Sequence, residues 1–258
     1  MDLDLHGGKT PAGGRGGAGM QAQELIKGRP ASLAVLDYGL FQVHDNGRII
    51  GIVGFLIRTD RDEIILVDTG FPEANAREAA RASAADGLDR FGRVLTLTET
   101  HLPQHQLSLL GLTAQAVDLL ILTHSHIDHV GGIAGFPRAP ILLAKAERDE
   151  PRPLYFGKSR PMDWPDRSYV TVTEDVALAP GLRLLAVPGH VPGQLALLVD
   201  LPETGPVLIT GDAISRPAEI GEGFDTAHDP VLARHSAARL MALAAQTGAF
   251  VIYGHAPD

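Results

Sequence analysis

The sequence predicts an α/β protein in which two sheets pack face to face between outer helices. Three observations predict it. Strand-like runs followed by a helix-like run occur twice along the chain. Residues 117–123 (VDLLILT) form an almost unbroken apolar run, the pattern of a strand covered on both faces. His or Asp, mostly preceded by Gly, follows directly after apolar strand-like runs at several separate places.

The elements follow in order. Residues 1–20 contain seven glycines and no hydrophobic period, and read as a flexible tail. Residues 21–258 read as a single domain. Residues 33–43, 50–57 and 63–67 are β-rich, separated by Asn46-Gly47 and by Asp60-Arg61-Asp62, which have turn chemistry. Residues 72–85 are rich in Ala, Glu and Arg and predict one helix with Pro72 near its start. Residues 87–112 show no clean period and are expected to form a loop or lid, with His101 and His105 as candidates to line the site. Further strands are expected at 141–144, 169–173, 182–187, 195–199 and 207–210. Residues 230–247 predict an amphipathic helix with Leu232, Leu240, Leu243 and Ala244 on or near one face. Residues 250–253 are a last strand.

Composition narrows the chemistry. Cysteine is absent, which excludes disulfides, thiolate metal sites and cysteine nucleophiles, so any metal must be held by imidazole and carboxylate. Acidic residues outnumber basic ones, 31 to 22, and no basic run suited to a phosphate backbone occurs, so nucleic acid is not an expected partner. No apolar run approaches the ~20 residues of a membrane span, and the start lacks the apolar stretch of a secretory signal. A cytoplasmic protein acting on a small molecule is expected. The oligomeric state stays open, a homodimer being one option.

The chemistry concentrates in His124-Ser125-His126-Ile127-Asp128-His129, directly after the apolar run at 117–123. Residues two apart in an extended segment point the same way, so His124 and His126 can share one ion. Asp128 and His129 follow where the backbone turns, and can aim at a second. Gly189-His190, Gly211-Asp212 and Gly254-His255 each sit at the end of an apolar strand-like run. Imidazole and carboxylate suit Zn²⁺, Fe²⁺ or Mn²⁺.

This pattern resembles the metallo-β-lactamase superfamily, over roughly residues 31–258. Residues 66–70 (LVDTG), 188–193 (PGHVPG), Asp212 and 253–255 (YGH) are most similar to its N-acyl-homoserine lactonase branch. The resemblance implies a four-layer αβ/βα sandwich. It implies a first metal held by His124, His126 and His190, a second held by Asp128, His129 and His255, and Asp212 bridging both. Asp68 corresponds to a strand-end Asp that supports the ligands from behind. The implied cofactor is two divalent ions, Zn²⁺ first, with Fe, Mn or Co as options. The implied activity is hydrolysis of a lactone, with quorum quenching as the biological setting. A hydroxide bridging the ions attacks the carbonyl, and Asp128 and Asp212 are the catalytic carboxylates. One departure concerns substrate binding. Ser215 stands where the lactonases carry a Tyr that contacts the substrate carbonyl.

Rival readings on the same fold are hydrolysis of another ester, a thioester or a β-lactam, and a non-haem iron oxidoreductase. Outside the motif, His235 is expected on a helix surface and His228 at a helix start. Tyr155, Phe156 and Trp164 lie in a Pro-rich stretch and are expected to anchor a loop, with an apolar substrate wall as the alternative.

Overall fold

A computed structural model describes residues 21–256. The Gly-rich tail expected at 1–20 lies outside the described residues. Twelve strands are seen among those described: β1 (Pro30–Val43), β2 (Ile49–Thr59), β3 (Ile64–Val67), β4 (Gly92–Thr96), β5 (Leu119–Ile121), β6 (Ile141–Ala144), β7 (Tyr169–Val172), β8 (Val176–Ala179), β9 (Leu182–Ala186), β10 (Leu195–Leu201), β11 (Gly205–Ile209) and β12 (Phe250–Ile252). They form a seven-stranded sheet in the order β4-β1-β2-β3-β5-β6-β7 and a five-stranded sheet in the order β12-β11-β10-β9-β8. The long hairpin of β1 and β2 is antiparallel, whereas β3, β5, β6 and β7 run parallel.

Alternate residues of each strand feed different layers, as a period of two requires. Phe55, Ile57, Ile65, Val67, Leu119 and Ile121 from one sheet share a core with Leu184, Leu195, Leu197 and Ile209 from the other. The opposite face of the first sheet, including Leu66, Leu120 and Leu122, packs on Leu107, Val130 and Ile133. The outer face of the second, including Leu185, Leu198 and Leu208, packs on the helix Pro230–Thr247 through Ala233, Ala237 and Leu240. The architecture is the expected four-layer αβ/βα sandwich. All three residues of β5 are buried, which accounts for the unbroken apolar run.

Several expectations are corrected. The helix expected over 72–85 is two helices, Glu73–Arg77 and Ala79–Asp86, broken at Glu78, whose φ of −133° is not helical. Residues 87–112 are not a lid. They hold the edge strand β4, paired with β1, and the helix Pro103–Leu109. That strand is mostly exposed and the helix buries only Pro103 and Leu107, so neither carries a hydrophobic period. The strand β8 was not anticipated either; only Leu178 and Ala179 in it are buried. In the long C-terminal helix the inner face is Ala233, Ser236, Ala237, Leu240 and Ala244, while Leu232 is exposed. Small residues let this helix lie close to the sheet, a feature that reading large apolar side chains alone overlooks.

Candidate metal centre

The candidate ligands all come from strand ends on one edge of the sandwich. The chain leaves β5 and delivers His124 and His126; the short helix Ile127–Val130 then turns Asp128 and His129 inward. The loop after β9 brings His190, the turn Gly211–Ile214 after β11 brings Asp212, and the segment after β12 brings His255. Two glycines allow the loops to meet. Gly189 has φ +144°, and a Cβ there would lie 2.3 Å from the Ala233 backbone; a Cβ at Gly254 would lie 2.5 Å from the Gly211 carbonyl.

All seven predicted residues converge, in two groups. Donor atoms of His124, His126, His190 and Asp212 lie within 4.8 Å of one another, as do those of Asp128, His129 and His255. Asp212 touches both groups: its Oδ2 is 3.4 Å from His190 Nε2 and 3.0 Å from His255 Nε2, and its Oδ1 is 3.4 Å from His129 Nε2. Buried His124 Nε2, His129 Nε2 and Asp212 Oδ1 have no hydrogen-bond partner. Leaving such atoms unpaired costs about 1–3 kcal/mol each. A divalent cation would satisfy them, and the N/O donor set suits one.

The electrostatics point the same way. Burial opposes protonation of His129, but Asp128, Asp212 and Asp68 outweigh it and push its pKa up to about 10. His255 is also raised, by Asp212 and Asp128 against its burial. His124 and His126 are held well below the usual imidazole range, by burial first and by neighbouring histidines next. Asp212 stays ionised despite its burial because His255, His129 and His190 surround it.

Groups behind the cluster fix its geometry. Asp68 accepts from His129 Nδ1 at 2.8 Å, from Thr123 N at 2.8 Å and from Thr123 Oγ1 at 2.7 Å. A carboxylate can only accept, so Nδ1 carries a proton and Nε2 is the nitrogen that faces the cluster, where a cation can take the place of its proton. His255 Nδ1 likewise donates to the Gly51 carbonyl at 2.8 Å. Glu147, which sequence reasoning missed, is buried and ties two ligand loops together. It accepts from Ser125 Oγ, from Ser125 N at 3.1 Å and from Gly193 N at 3.1 Å. It sits in a charged run (KAERDE) that reads as a solvated helix face, so no local signal marks it.

A cavity of about 400 Å³ opens beside the cluster and reaches His126, Asp128, His190, Asp212 and His255. Phe91 stacks between Phe41 and Phe156, with ring centroids 6.1 and 6.0 Å away, and these rings form an apolar wall. Tyr155 lines the same cavity, so this part of the Pro-rich stretch is a wall, whereas Trp164 anchors its loop through the Glu150 carbonyl. Ser215, Glu219, Arg48 and His228 also border the cavity. His228 is thus more than a helix start; Asp229 is the residue that caps that helix. His101 and His105 do not line this cavity. His101 lies in a separate groove beside Asp37 and Thr96, because its segment packs outside β1. His235 is exposed, as expected.

The model of the metallo-beta-lactamase superfamily matches residues 51–255. The chain belongs to that superfamily. An N-acyl homoserine lactonase from a Bacillus species is 30% identical to it over 213 residues, covering 78% of this chain and 79% of the relative. The human metallo-beta-lactamase domain-containing protein 1 is 28% identical over 249 residues, 90% and 83% of the two chains. Among solved structures, a mutant of Bacillus thuringiensis AiiA with N-decanoyl-L-homoserine at its active site superposes with a TM-score of 0.75 at 25% identity, covering 89% of this chain and 94% of that one. An N-acyl homoserine lactone hydrolase with the product N-hexanoyl-L-homoserine at its catalytic metal centre gives the same values. The chain is therefore an enzyme, a hydrolase of the metallo-beta-lactamase fold. No helix among the described residues is long and apolar enough to cross a membrane.

Proposed function

We propose that this chain is a dinuclear-metal lactonase, with N-acyl homoserine lactones as the first substrates to consider and quorum quenching as the setting. The observation that carries this reading is the pair of donor groups sharing Asp212 and opening onto one cavity with an aromatic wall. The lactonases among the relatives support the choice of bond. His124, His126 and His190 would hold one ion, Asp128, His129 and His255 the other, and Asp212 both. When bound, such ions supply Lewis acidity: they polarise a carbonyl and bring the pKa of water toward ~7, so that hydroxide is available at neutral pH. Asp128 is the ligand carboxylate we assign to moving a proton, since it lines the cavity, 3.6 Å from His129 Nε2 and 3.5 Å from His255 Nε2, and unlike Asp212 lies against the imidazoles of one group only. It would take the proton released on attack and pass it to the leaving ring oxygen. Phe41, Phe91 and Phe156 exclude water and receive the apolar part of the substrate. A panel of lactones, thioesters and β-lactams assayed with Zn²⁺-, Mn²⁺-, Co²⁺- and Fe²⁺-loaded protein tests the reading. Turnover of a thioester or β-lactam with every lactone left intact would replace it.

Acidification should remove the ions in order. In the ion-free protein His129, with its pKa raised to about 10, holds a second proton at pH 7 that a cation must displace, and His255 is shifted in the same direction by Asp212 and Asp128. His124, His126 and His190 have lowered values and are already neutral there. As pH falls, the Asp128–His129–His255 group should lose its ion first, taking the stoichiometry from about two to about one before zero. Equilibrium dialysis followed by elemental analysis across pH 5–9 checks this; simultaneous loss of both ions contradicts it.

Ser215 should govern selectivity rather than metal binding. It is buried, borders the cavity, and its hydroxyl is several ångströms shorter than a Tyr phenol. Ser215→Tyr should leave metal content unchanged and raise kcat/KM on homoserine lactones relative to bulkier lactones by roughly a hundredfold, the worth of a carbonyl donor. An unchanged ratio removes Ser215 from substrate binding.

A further inference from the structure

The chain carries a formal charge of −9, yet two arginines flank one recess at the border of the cavity. Arg48 follows the Asn46-Gly47 turn and lines both the catalytic cavity and a small neighbouring recess formed with Asn46, Gly47 and Arg216. The Nε atoms of Arg48 and Arg216 are buried and neither has a hydrogen-bond partner. Arg216 is partly neutralised by its ion pair with Glu222, whereas Arg48 makes no ion pair among the described residues. Glu219 is the acid nearest in influence. It makes no ion pair with Arg48, and one of its carboxylate oxygens accepts from the Ser215 backbone N–H at 2.6 Å. The Arg48 guanidinium, which lines the cavity and makes no side-chain hydrogen bond or ion pair among the described residues, fits one chemistry best, a carboxylate accepting from its planar cationic fork, with the charge of Arg216 beside it.

We propose that Arg48, assisted by Arg216, forms a subsite for a carboxylate carried on the substrate away from the bond that is cleaved. The assignment rests on the lactone-opening reading for its substrate class, and on the arginine geometry alone for its charge. It makes Arg48 a specificity residue: the enzyme would favour lactones whose acyl arm ends in a carboxylate over neutral arms of equal length. The aromatic wall would hold the methylene part of either arm.

The matched probes are N-adipoyl- and N-hexanoyl-homoserine lactone, six-carbon arms that differ in the terminal carboxylate. Arg48→Met in the metal-loaded enzyme should raise KM for the adipoyl lactone by roughly 10- to 100-fold with kcat unchanged, while KM for the hexanoyl lactone moves less than about twofold. Arg48→Lys should restore part of the loss, because it keeps charge without the fork. Equal losses on both lactones, or no loss on either, overturn the proposal. A wild type that opens neither lactone defeats the lactonase reading instead. Calorimetry with the ring-opened N-adipoyl- and N-hexanoyl-homoserines then still decides the subsite. The adipoyl compound should bind more tightly to the wild type and lose that preference in Arg48→Met; equal binding to the wild type overturns the proposal.

Discussion

Asp212→Ala is expected to reduce the metal content from about two ions per chain to one or fewer and to lower kcat/KM by roughly 10³-fold or more. Among the described residues, Asp212 is the one whose carboxylate lies against imidazoles of both groups, within 3.4 Å of His129 and His190 and 3.0 Å of His255. Its Oδ1 is buried and has no hydrogen-bond partner, so it is free to take a cation. Without it, His129 Nε2 and His190 Nε2 face each other's groups with no shared negative charge, and two cations would repel across the gap. Ser215→Ala is the control: it lies three residues on and borders the same cavity, but should keep both ions. Elemental analysis and turnover of the two variants, with circular dichroism to verify folding, make the comparison. Two ions and full rate in Asp212→Ala would remove it from the bridging position.

The cluster was readable because each ligand follows a strand whose apolar run is local. A buried strand such as β5 has to be apolar throughout, and the residue after it has to point at the sheet edge, so the motif and its placement share one signal. The four layers follow from the same runs, through the period of two. What escaped was either exposed or distant in sequence. The edge strand β4 and helix Pro103–Leu109 bury too little to leave a pattern. Glu147 acts across 22 residues on Ser125 and across 46 on Gly193, and nothing in its neighbours distinguishes it from a surface acid. The aromatic wall joins Phe41, Phe91 and Phe156 from three separate segments, so it exists only once β1 and β4 have paired.

Asp68 is where support of the cluster and strain in the backbone coincide, and two substitutions separate them. Its φ is +61°, a left-handed conformation that Asp and Asn tolerate better than other side chains. Its carboxylate also satisfies Thr123 N and Thr123 Oγ1, both buried, besides orienting His129. Asp68→Ala puts a Cβ-only residue into the strained conformation, at about 1–2 kcal/mol, and orphans the Thr123 donors, at about 1–3 kcal/mol. Stability should fall by about 2–5 kcal/mol and the melting temperature by roughly 4–20 °C. Asp68→Asn keeps the backbone tolerance and one acceptor oxygen for Thr123, so it should lose little stability. Its amide has only that one oxygen, and the NH₂ group that replaces the other cannot accept from His129 Nδ1. The ring is then free to turn or change tautomer. Affinity for the ion at Asp128–His129–His255 should drop by roughly 10- to 100-fold in both variants, while the ion at His124–His126–His190 is held as before. Competition with a chelator of known affinity, read beside thermal melts, measures the two effects separately. If Asp68→Asn binds both ions as the wild type does, Asp68 only shapes the turn after β3, and the orientation of His129 is set elsewhere.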